Sequence, residues 1–267
     1  MSVTPHKPRT SWQVTRSVWY ALLMRETISR TTADRFGWFW MIAEPMAMVG
    51  LMVVIRALLM GSERLIPGAE FIPWLIVGLL GFFVFREGMM RSLGAIEANR
   101  GLFSYRQVLP VDPVIARCLV EGMIKTFILI IFIAGGVLFE VDLYPDDPLI
   151  AILDWFSLWL LGFGAGLVFS VVSCLVPEIG IIIRISLLPL MLISGVILPL
   201  NFLPHSVLEV VLYLPIVHGL ENLRLSFFSG YHTLQGTSEF YLWFWALGLI
   251  ALGLLLHIHN EAKLKAL

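Results

Sequence analysis

Basic side chains inside long apolar runs are the residues of this sequence best placed to do chemistry. Arg56, Lys125 and Arg184 each lie within or at the end of such a run, where burying an ion in lipid costs about 2.5–3.5 kcal/mol. Ions at that cost usually face a protein interior or water and meet an opposite charge. We therefore predict that these three residues contact an anionic solute. Two simpler interpretations stay open: Glu121, one turn earlier, neutralises Lys125, and Arg184 extends to the membrane surface.

Aromatic residues recur every four positions at Trp155, Trp159 and Phe163. On a helix this spacing puts the three rings on one face. Such a stripe can pack against a neighbouring helix, or it can stack on sugar rings, whose C–H faces are apolar. Under the second interpretation these residues line a path for a glycan.

The composition indicates that lipid surrounds much of the chain. Of 267 residues, 58% are hydrophobic and 14% are charged, whereas soluble domains carry about 25% charged residues. A net charge of −1 gives no sign of a nucleic-acid partner. The two cysteines lie in separate apolar runs and indicate neither a disulfide framework nor a metal site.

Six apolar runs are long enough to cross about 30 Å of hydrocarbon. Each is expected to be a helix, because backbone groups in lipid need partners within their own segment. The predicted spans cover residues 38–60, 71–93, 114–139, 149–176, 179–200 and 240–258. We found no internal repeat, so we predict one all-α, polytopic membrane domain over residues 1–267.

Lysine and arginine are concentrated on one side of these spans. They precede the first span, follow the fourth and sixth, and occur between the second and third, where Arg86 and Arg91 are counted with the connection. The connection over 140–148 has four acids and no base. By the positive-inside rule, both termini are predicted to be cytoplasmic.

Two further segments flank the spans. Residues 12–30 alternate apolar and basic positions at helical spacing, which favours a helix in the cytoplasmic headgroup layer over one packed on its own protein. Residues 201–239 hold an apolar run too short to span, between Pro204 and Pro215. This pattern predicts a re-entrant pair of short helices on the periplasmic side.

The sequence lacks the motifs of an ATPase and of a serine hydrolase. It has no P-loop and no Gly-Lys dipeptide, so it is not expected to bind nucleotide phosphates. Gly162 and Gly166 form a G-x-x-x-G step, which is typical of close helix packing. Ser194 and His218 could be imagined as a hydrolytic pair, but no G-x-S-x-G motif surrounds Ser194. We predict no catalytic residue, metal site or cofactor in this chain.

The most distinctive polar stretch is residues 94–106, GAIEANRGLFSYR. It combines a short helix, a glycine, aromatic residues and arginines. Such a stretch can dock into a groove on another protein, or it can be a solvated loop that caps spans two and three.

The region from Leu187 to Arg224 resembles the characteristic stretch of ABC-2 type exporter permeases. Leu203-Pro204 and Pro215-Ile216-Val217-His218 fall at the spacing of that stretch. The segment SLGAIEANRGLFSYRQVLPVD, with Glu44-Pro45 at the start of span one, is similar to KpsM-type capsular polysaccharide export permeases. The resemblance covers essentially the whole chain.

This resemblance implies a membrane subunit that pairs as a homodimer with two separate ATPase subunits, which bind ATP and magnesium. Residues 94–106 would then couple to the ATPase, through Glu97, Asn99, Arg100, Phe103, Tyr105 and Arg106. The exported substrate would be an acidic glycan on a lipid anchor. A periplasmic-spanning, co-polymerase-type partner and an outer-membrane channel would take it onward.

Other functions stay open from the sequence. An ABC-2 permease for O-antigen, teichoic acid or small lipophilic compounds would share the fold. A secondary transporter would need no ATPase and usually shows internal repeats. An intramembrane hydrolase would depend on Ser194.

Overall fold

The computed structural model describes residues 10–32, 37–59, 66 and 68–266, and this part of the chain is helical. A 3-10 helix over Glu97–Ser104, called here the loop helix, joins α3 to α4. The α-helices are α1 (Ser11–Thr32), α2 (Gly37–Leu59), α3 (Phe71–Leu93), α4 (Val111–Leu138), α5 (Pro148–Leu175), α6 (Pro177–Ile193), α7 (His205–Val211), α8 (Pro215–Phe227), α9 (Glu239–His259) and α10 (Glu261–Ala266).

Helix α5 lies at the centre of the bundle, between α3 and α9. A Cβ atom on Gly162 would lie 2.5 Å from the Phe85 carbonyl oxygen, and one on Gly166 would lie 2.6 Å from Ser92 Oγ. Gly164 makes the same close approach to α9, where a Cβ atom would lie 2.9 Å from Leu249 Cβ. The prediction that this glycine-rich step serves helix packing is confirmed.

Four helices in the described part of the chain, α3, α4, α5 and α9, are long and apolar enough to cross a membrane. Each begins and ends within three residues of a predicted span. Helix α2 covers another predicted span, but its described apolar part is the shorter segment Ile42–Ile55. The chain is therefore a multi-pass membrane protein, and its described residues contain four of the six predicted spans as long apolar helices.

Helix α6 ends earlier than predicted. It stops at Ile193 and not near residue 200, because Gly195 takes a φ of +75°, in the left-handed region that glycine favours. At 17 residues and 1.5 Å per residue, α6 is about 26 Å long. Helix α6 is therefore slightly shorter than the hydrocarbon core of a bilayer, which is about 30 Å thick.

The segment after α6 forms the predicted pair of short helices. Helices α7 and α8 are bent by 100° relative to each other, and together they would be a fifth apolar element. The end of α8 is fastened to the α4–α5 connection, since the Asp147 and Asp146 N–H groups donate to the carbonyls of Ser226 (3.0 Å) and Phe227 (3.4 Å).

Candidate substrate cavity and docking surface

A cavity of about 560 Å³ lies between α2, α3 and α6. Its lining combines apolar side chains with three arginines and one glutamate, which is uncommon inside a membrane bundle. The lining residues are Met48, Phe82, Arg86, Glu87, Met90, Arg91, Arg184, Leu187, Leu188 and Met191. We call this space the charged cavity.

Arg86 is held at the wall of the charged cavity by two carboxylates. Its Nη2 atom lies 2.9 Å from Glu44 Oε1 on α2 and 2.6 Å from Glu87 Oε1. The guanidinium also lies 4.5 Å from the centroid of the Phe83 ring. The Glu44-Pro45 pair at the start of α2 thus supplies a charge partner to α3.

A second set of ion pairs continues from α3 to α4 and α1. Arg91 Nε lies 3.4 Å from Glu87 Oε2 and 3.4 Å from Glu121 Oε1. Glu121 is also paired with Arg30 of α1. Four helices therefore share one continuous network of ion pairs, because an arginine in a low-dielectric site requires a nearby carboxylate.

Lys125 is buried, at 6% exposure, and its Nζ atom lies 5.6 Å from the centroid of the Phe83 ring. It interacts electrostatically with Glu87 and Glu121. In the described part of the chain, however, every Glu121 ion pair within 4 Å is made by an arginine. The suggested Glu121–Lys125 pair is thus a longer-range interaction.

The other two predicted cationic positions differ. Arg184 is exposed, lines the charged cavity and takes part in none of the ion pairs within 4 Å among the described residues. Arg56 lies on α2, and its side chain falls outside the described part of the structure. The residues that the sequence did not assign to this site are Arg86, Glu87 and Arg91.

The aromatic stripe is separate from the charged cavity. The indole N–H groups of Trp155 and Trp159 donate to Thr126 Oγ1 (2.9 Å) and to the Cys118 carbonyl (3.1 Å) on α4. Phe163 stacks on Trp159 at 5.7 Å. Both tryptophans line an apolar groove of about 380 Å³ between α4 and α5. Helix packing thus accounts for their contacts, and the structure does not bring the predicted path residues together in one place.

The six predicted coupling residues lie on the loop helix and on the two residues that follow it, and they fall into two groups. Asn99 and Phe103 are buried, at 2% and 8% exposure, and hold the loop helix against the bundle. Asn99 Nδ2 donates to the Ala95 carbonyl at 2.7 Å. The exposed group, available to another protein, consists of Glu97, Arg100, Tyr105 and Arg106.

Helix α1 packs its charged side on the protein. Trp19 Nε1 donates to Asp112 Oδ1 at 2.8 Å, Arg25 donates to Asn99, and Arg117 Nε lies 3.3 Å from Glu26 Oε2. The sequence favoured a helix in the headgroup layer over one packed on its own protein, and these contacts show that part of α1 packs on the protein. The opposite side of α1 is exposed and mainly apolar, and it carries Trp12, Tyr20, Met24 and Ile28.

The residues of the imagined hydrolytic pair do not contact each other. Ser194 Oγ donates to the Met191 carbonyl at 3.3 Å within its own helix. His218 Nε2 lies 2.8 Å from the Leu212 carbonyl, while its Nδ1 accepts from the Ser238 N–H at 2.9 Å. Both nitrogens are occupied by backbone groups, so His218 has no free nitrogen to act as a base for Ser194.

Residues 17–228 match the family model described as ABC-2 type transporter. The chain belongs to this family. The matched ABC-2 region runs from α1 to the end of α8 and includes every residue of the charged cavity and of the loop helix. As an ABC-2 membrane protein, the chain is a transport subunit and not an ATPase.

Curated relatives within this ABC-2 family are similar over most of their length. The polysialic acid transport protein KpsM of Escherichia coli is 36% identical over 257 residues, which cover 95% of this chain and 97% of KpsM. The capsule polysaccharide export inner-membrane proteins BexB of Haemophilus influenzae and CtrC of Neisseria meningitidis serogroup B are 28% and 27% identical, over 78% and 82% of both chains. The resemblance noted in the sequence is therefore confirmed, and this chain is a multi-pass inner-membrane protein.

Proposed function

We propose that this chain is the membrane-spanning subunit of an ATP-driven exporter that moves lipid-linked acidic capsular polysaccharide across the bacterial inner membrane. The observation that carries the proposal is its similarity to a polysialic acid transport protein over nearly the whole of both chains. The named substrate of that relative is a polymer of acids, and an anionic polymer requires compensation of charge on its way through lipid.

The charged cavity supports an anionic substrate. It presents three arginines and one glutamate, and Arg184 is exposed there without a carboxylate partner within 4 Å among the described residues. Two of the arginines are already paired, so Arg184 is the side chain with most capacity left for a glycan carboxylate or a lipid phosphate. Lys125 of α4 interacts electrostatically with Glu87 of the cavity wall, and Arg56 of α2 is a further candidate contact.

The topology in this proposal has six spans, with α2 and α6 added to the four long apolar helices. Both termini, α1 and the loop helix lie on the cytoplasmic side, where the lysines and arginines are concentrated. The exposed apolar stripe of α1 lies in the headgroup layer. The α7–α8 pair re-enters the membrane from the periplasmic side, where protein covers its backbone.

In this proposal, a partner protein supplies the energy for transport. Two copies of the chain form a homodimer with two ATPase subunits, which bind ATP and magnesium. The exposed residues of the loop helix contact the ATPase, while Asn99 and Phe103 position that surface. ATP binding can drive transport only by stabilising one conformation of the bundle over another. A periplasmic co-polymerase-type partner and an outer-membrane channel receive the polymer.

A deletion strain tests the proposal. Surface glycan is stained, and lipid-linked polymer is extracted from the cytoplasm, before and after the gene is restored. Wild-type restores the capsule, whereas Glu97→Ala, at the exposed docking surface, leaves polymer inside the cell. Lys263→Gln, which removes an exposed charge from α10, is the matched control and restores the capsule.

The other outcomes separate the rival functions. A normal capsule in the deletion strain would contradict the substrate assignment and favour O-antigen, teichoic acid or a small lipophilic cargo. Loss of all polymer would indicate a role in synthesis. A capsule that is lost only with Ser194→Ala would favour the hydrolase.

A further inference from the structure

Glu121 is the point where three helices meet through charge. It lies on α4 at 5% exposure and is paired both with Arg30 of α1 and with Arg91 of α3. A buried carboxylate is costly unless its charge is compensated. Its nearest cations, Arg30 and Arg91, come from two other helices. A movement of Arg30 therefore changes the attraction of Glu121 for Arg91.

Arg91 is shared between two carboxylates. Its Nε atom lies 3.4 Å from both Glu87 Oε2 and Glu121 Oε1, and a guanidinium Nε carries one hydrogen. Its side chain is half-exposed, at 47%, and lines the charged cavity. Arg91 is therefore held loosely enough to move toward whichever carboxylate is less well neutralised.

Helix α1 contributes to the neutralisation of Glu121, together with Arg91 of α3 and Lys125 of α4. It supplies Arg30 to Glu121, and one turn earlier Arg25 donates to Asn99 of the loop helix. Arg25 and Arg30 are five residues apart, which corresponds to about 7.5 Å along the helix. A displacement of the loop helix that moves α1 would therefore change the Arg30–Glu121 contact directly.

We propose that Glu121 is a positioning residue that links α1 to the electrostatics of the charged cavity. With Arg30 in place, Glu121 is satisfied and Arg91 stays at the cavity wall. When α1 withdraws Arg30, Glu121 draws Arg91 toward α4, and the cavity becomes less positive. The link rests on the proposed function for its biological use, because it would let an ATPase at the loop helix alter affinity for an anion.

A charge-selective thiol reaction tests this link in the purified full-length protein without any transport. Met90→Cys places a thiol at the cavity wall, while the native Cys118 and Cys174 are buried. The measured quantity is the ratio of reaction rates with an anionic sulfonate and a cationic trimethylammonium methanethiosulfonate. The parent without Met90→Cys reports any reaction of the native cysteines.

If the link holds, Arg30→Gln changes the anion-to-cation ratio only when Glu121 is present. Arg30→Gln lowers the anion-to-cation ratio at least threefold, because Glu121 then draws Arg91 away, whereas Arg30→Lys leaves it near the parent value. Glu121→Gln raises the ratio, and adding Arg30→Gln to Glu121→Gln changes nothing further. Arg16→Gln, which removes a charge from the exposed side of α1, has no effect.

Two results would overturn the link. If Arg30→Gln lowers the ratio by the same factor with and without Glu121, its effect is a general field and does not pass through that carboxylate. If Arg30→Gln leaves the ratio unchanged in the protein that retains Glu121, α1 does not influence the cavity. Neither result depends on whether the chain exports capsular polymer, so the link and the proposed function can fail separately.

Discussion

The guanidinium carbon of Arg224 lies 3.6 Å from the centroid of the Trp74 ring, and neither residue has any measurable exposure. Arg224 also donates to Glu221 Oε1 at 3.0 Å and to the Val196 carbonyl at 3.1 Å. The Tyr231 hydroxyl donates to Glu221 Oε2 at 3.0 Å. One arginine thus fastens α8 to α3 and to the turn after α6.

Replacing Arg224 should therefore destabilise the protein strongly. Arg224→Met leaves Glu221 buried without its cation, and breaking a buried pair from one side costs about 3–5 kcal/mol. The double variant Glu221→Met/Arg224→Met should recover much of that loss, since no charge then stays uncompensated. Thermal unfolding in detergent, followed by tryptophan fluorescence, measures both. A wild-type midpoint for Arg224→Met would contradict this account of α8.

The approach of α3 to α5 requires glycine at position 162. A Cβ atom there would lie 2.5 Å from a backbone oxygen of Phe85, so Gly162→Ala must push the helices apart at a cost of about 1–3 kcal/mol. Gly248→Ala on α9 is the matched control, because nothing lies within 4 Å of its Cβ position. Its thermal midpoint should equal or exceed that of wild type. Equal midpoints for the two variants would show that α5 can move freely.

The connection before α5 should loosen in acid. The Ser229 N–H donates to Asp146 Oδ2 at 2.7 Å, and this bond lowers the pKa of Asp146 below its ordinary value. Because the folded pKa is the lower one, the contribution is present above the ordinary pKa and is lost as pH falls through the folded value. Asp146→Asn removes it at every pH.

Amide hydrogen exchange measures this effect. The protection factor of the Ser229 N–H in the wild type should fall as the pH drops below about 4, the ordinary pKa of Asp146, and should go on falling through the lower folded pKa. It should be low throughout in Asp146→Asn. Asp142→Asn, an exposed carboxylate of the same connection, should behave as wild type. Undiminished protection of the Ser229 N–H in Asp146→Asn would show that the Asp146 carboxylate does not cause the effect.

Arg184 should affect transport without affecting folding. It is exposed at the charged cavity, so Arg184→Gln breaks no ion pair within 4 Å among the described residues. A hydrogen bond to a charged group contributes about 1.5–3 kcal/mol, so export of an acidic polymer should fall roughly tenfold or more. Arg184→Lys should retain part of the activity. Wild-type export by Arg184→Gln at normal protein levels would exclude a contact with substrate.

Much of the helical layout could be predicted because hydrophobic length and backbone satisfaction in lipid leave few alternatives. The four long apolar helices, the Gly162–Gly166 packing and the short α7–α8 pair follow from such local patterns. The end of α6 did not, since the left-handed turn at Gly195 interrupts an otherwise apolar run.

The charged cavity could be predicted only in part. Arg86 and Arg91 were counted with the connection when the orientation was assigned, although both lie within the predicted span 71–93 and on α3. Their partners Glu44 and Glu121 come from helices distant in sequence. No local pattern gives such pairings, because they depend on how α1, α2 and α4 pack around α3. The contacts of Arg25 with Asn99 and of Arg30 with Glu121 could not be predicted for the same reason.

Transport by purified components would show most directly whether this chain is the membrane subunit of an ATP-driven exporter. The chain and its ATPase partner are reconstituted into vesicles with the partner facing outward, and lipid-linked acidic polysaccharide is supplied outside. The account predicts that the polymer becomes protected inside the vesicles only with ATP, magnesium and both subunits present, and that Glu97→Ala abolishes this protection. Protection without ATP, or no protection with every component active, would contradict an ATP-driven exporter of this polymer.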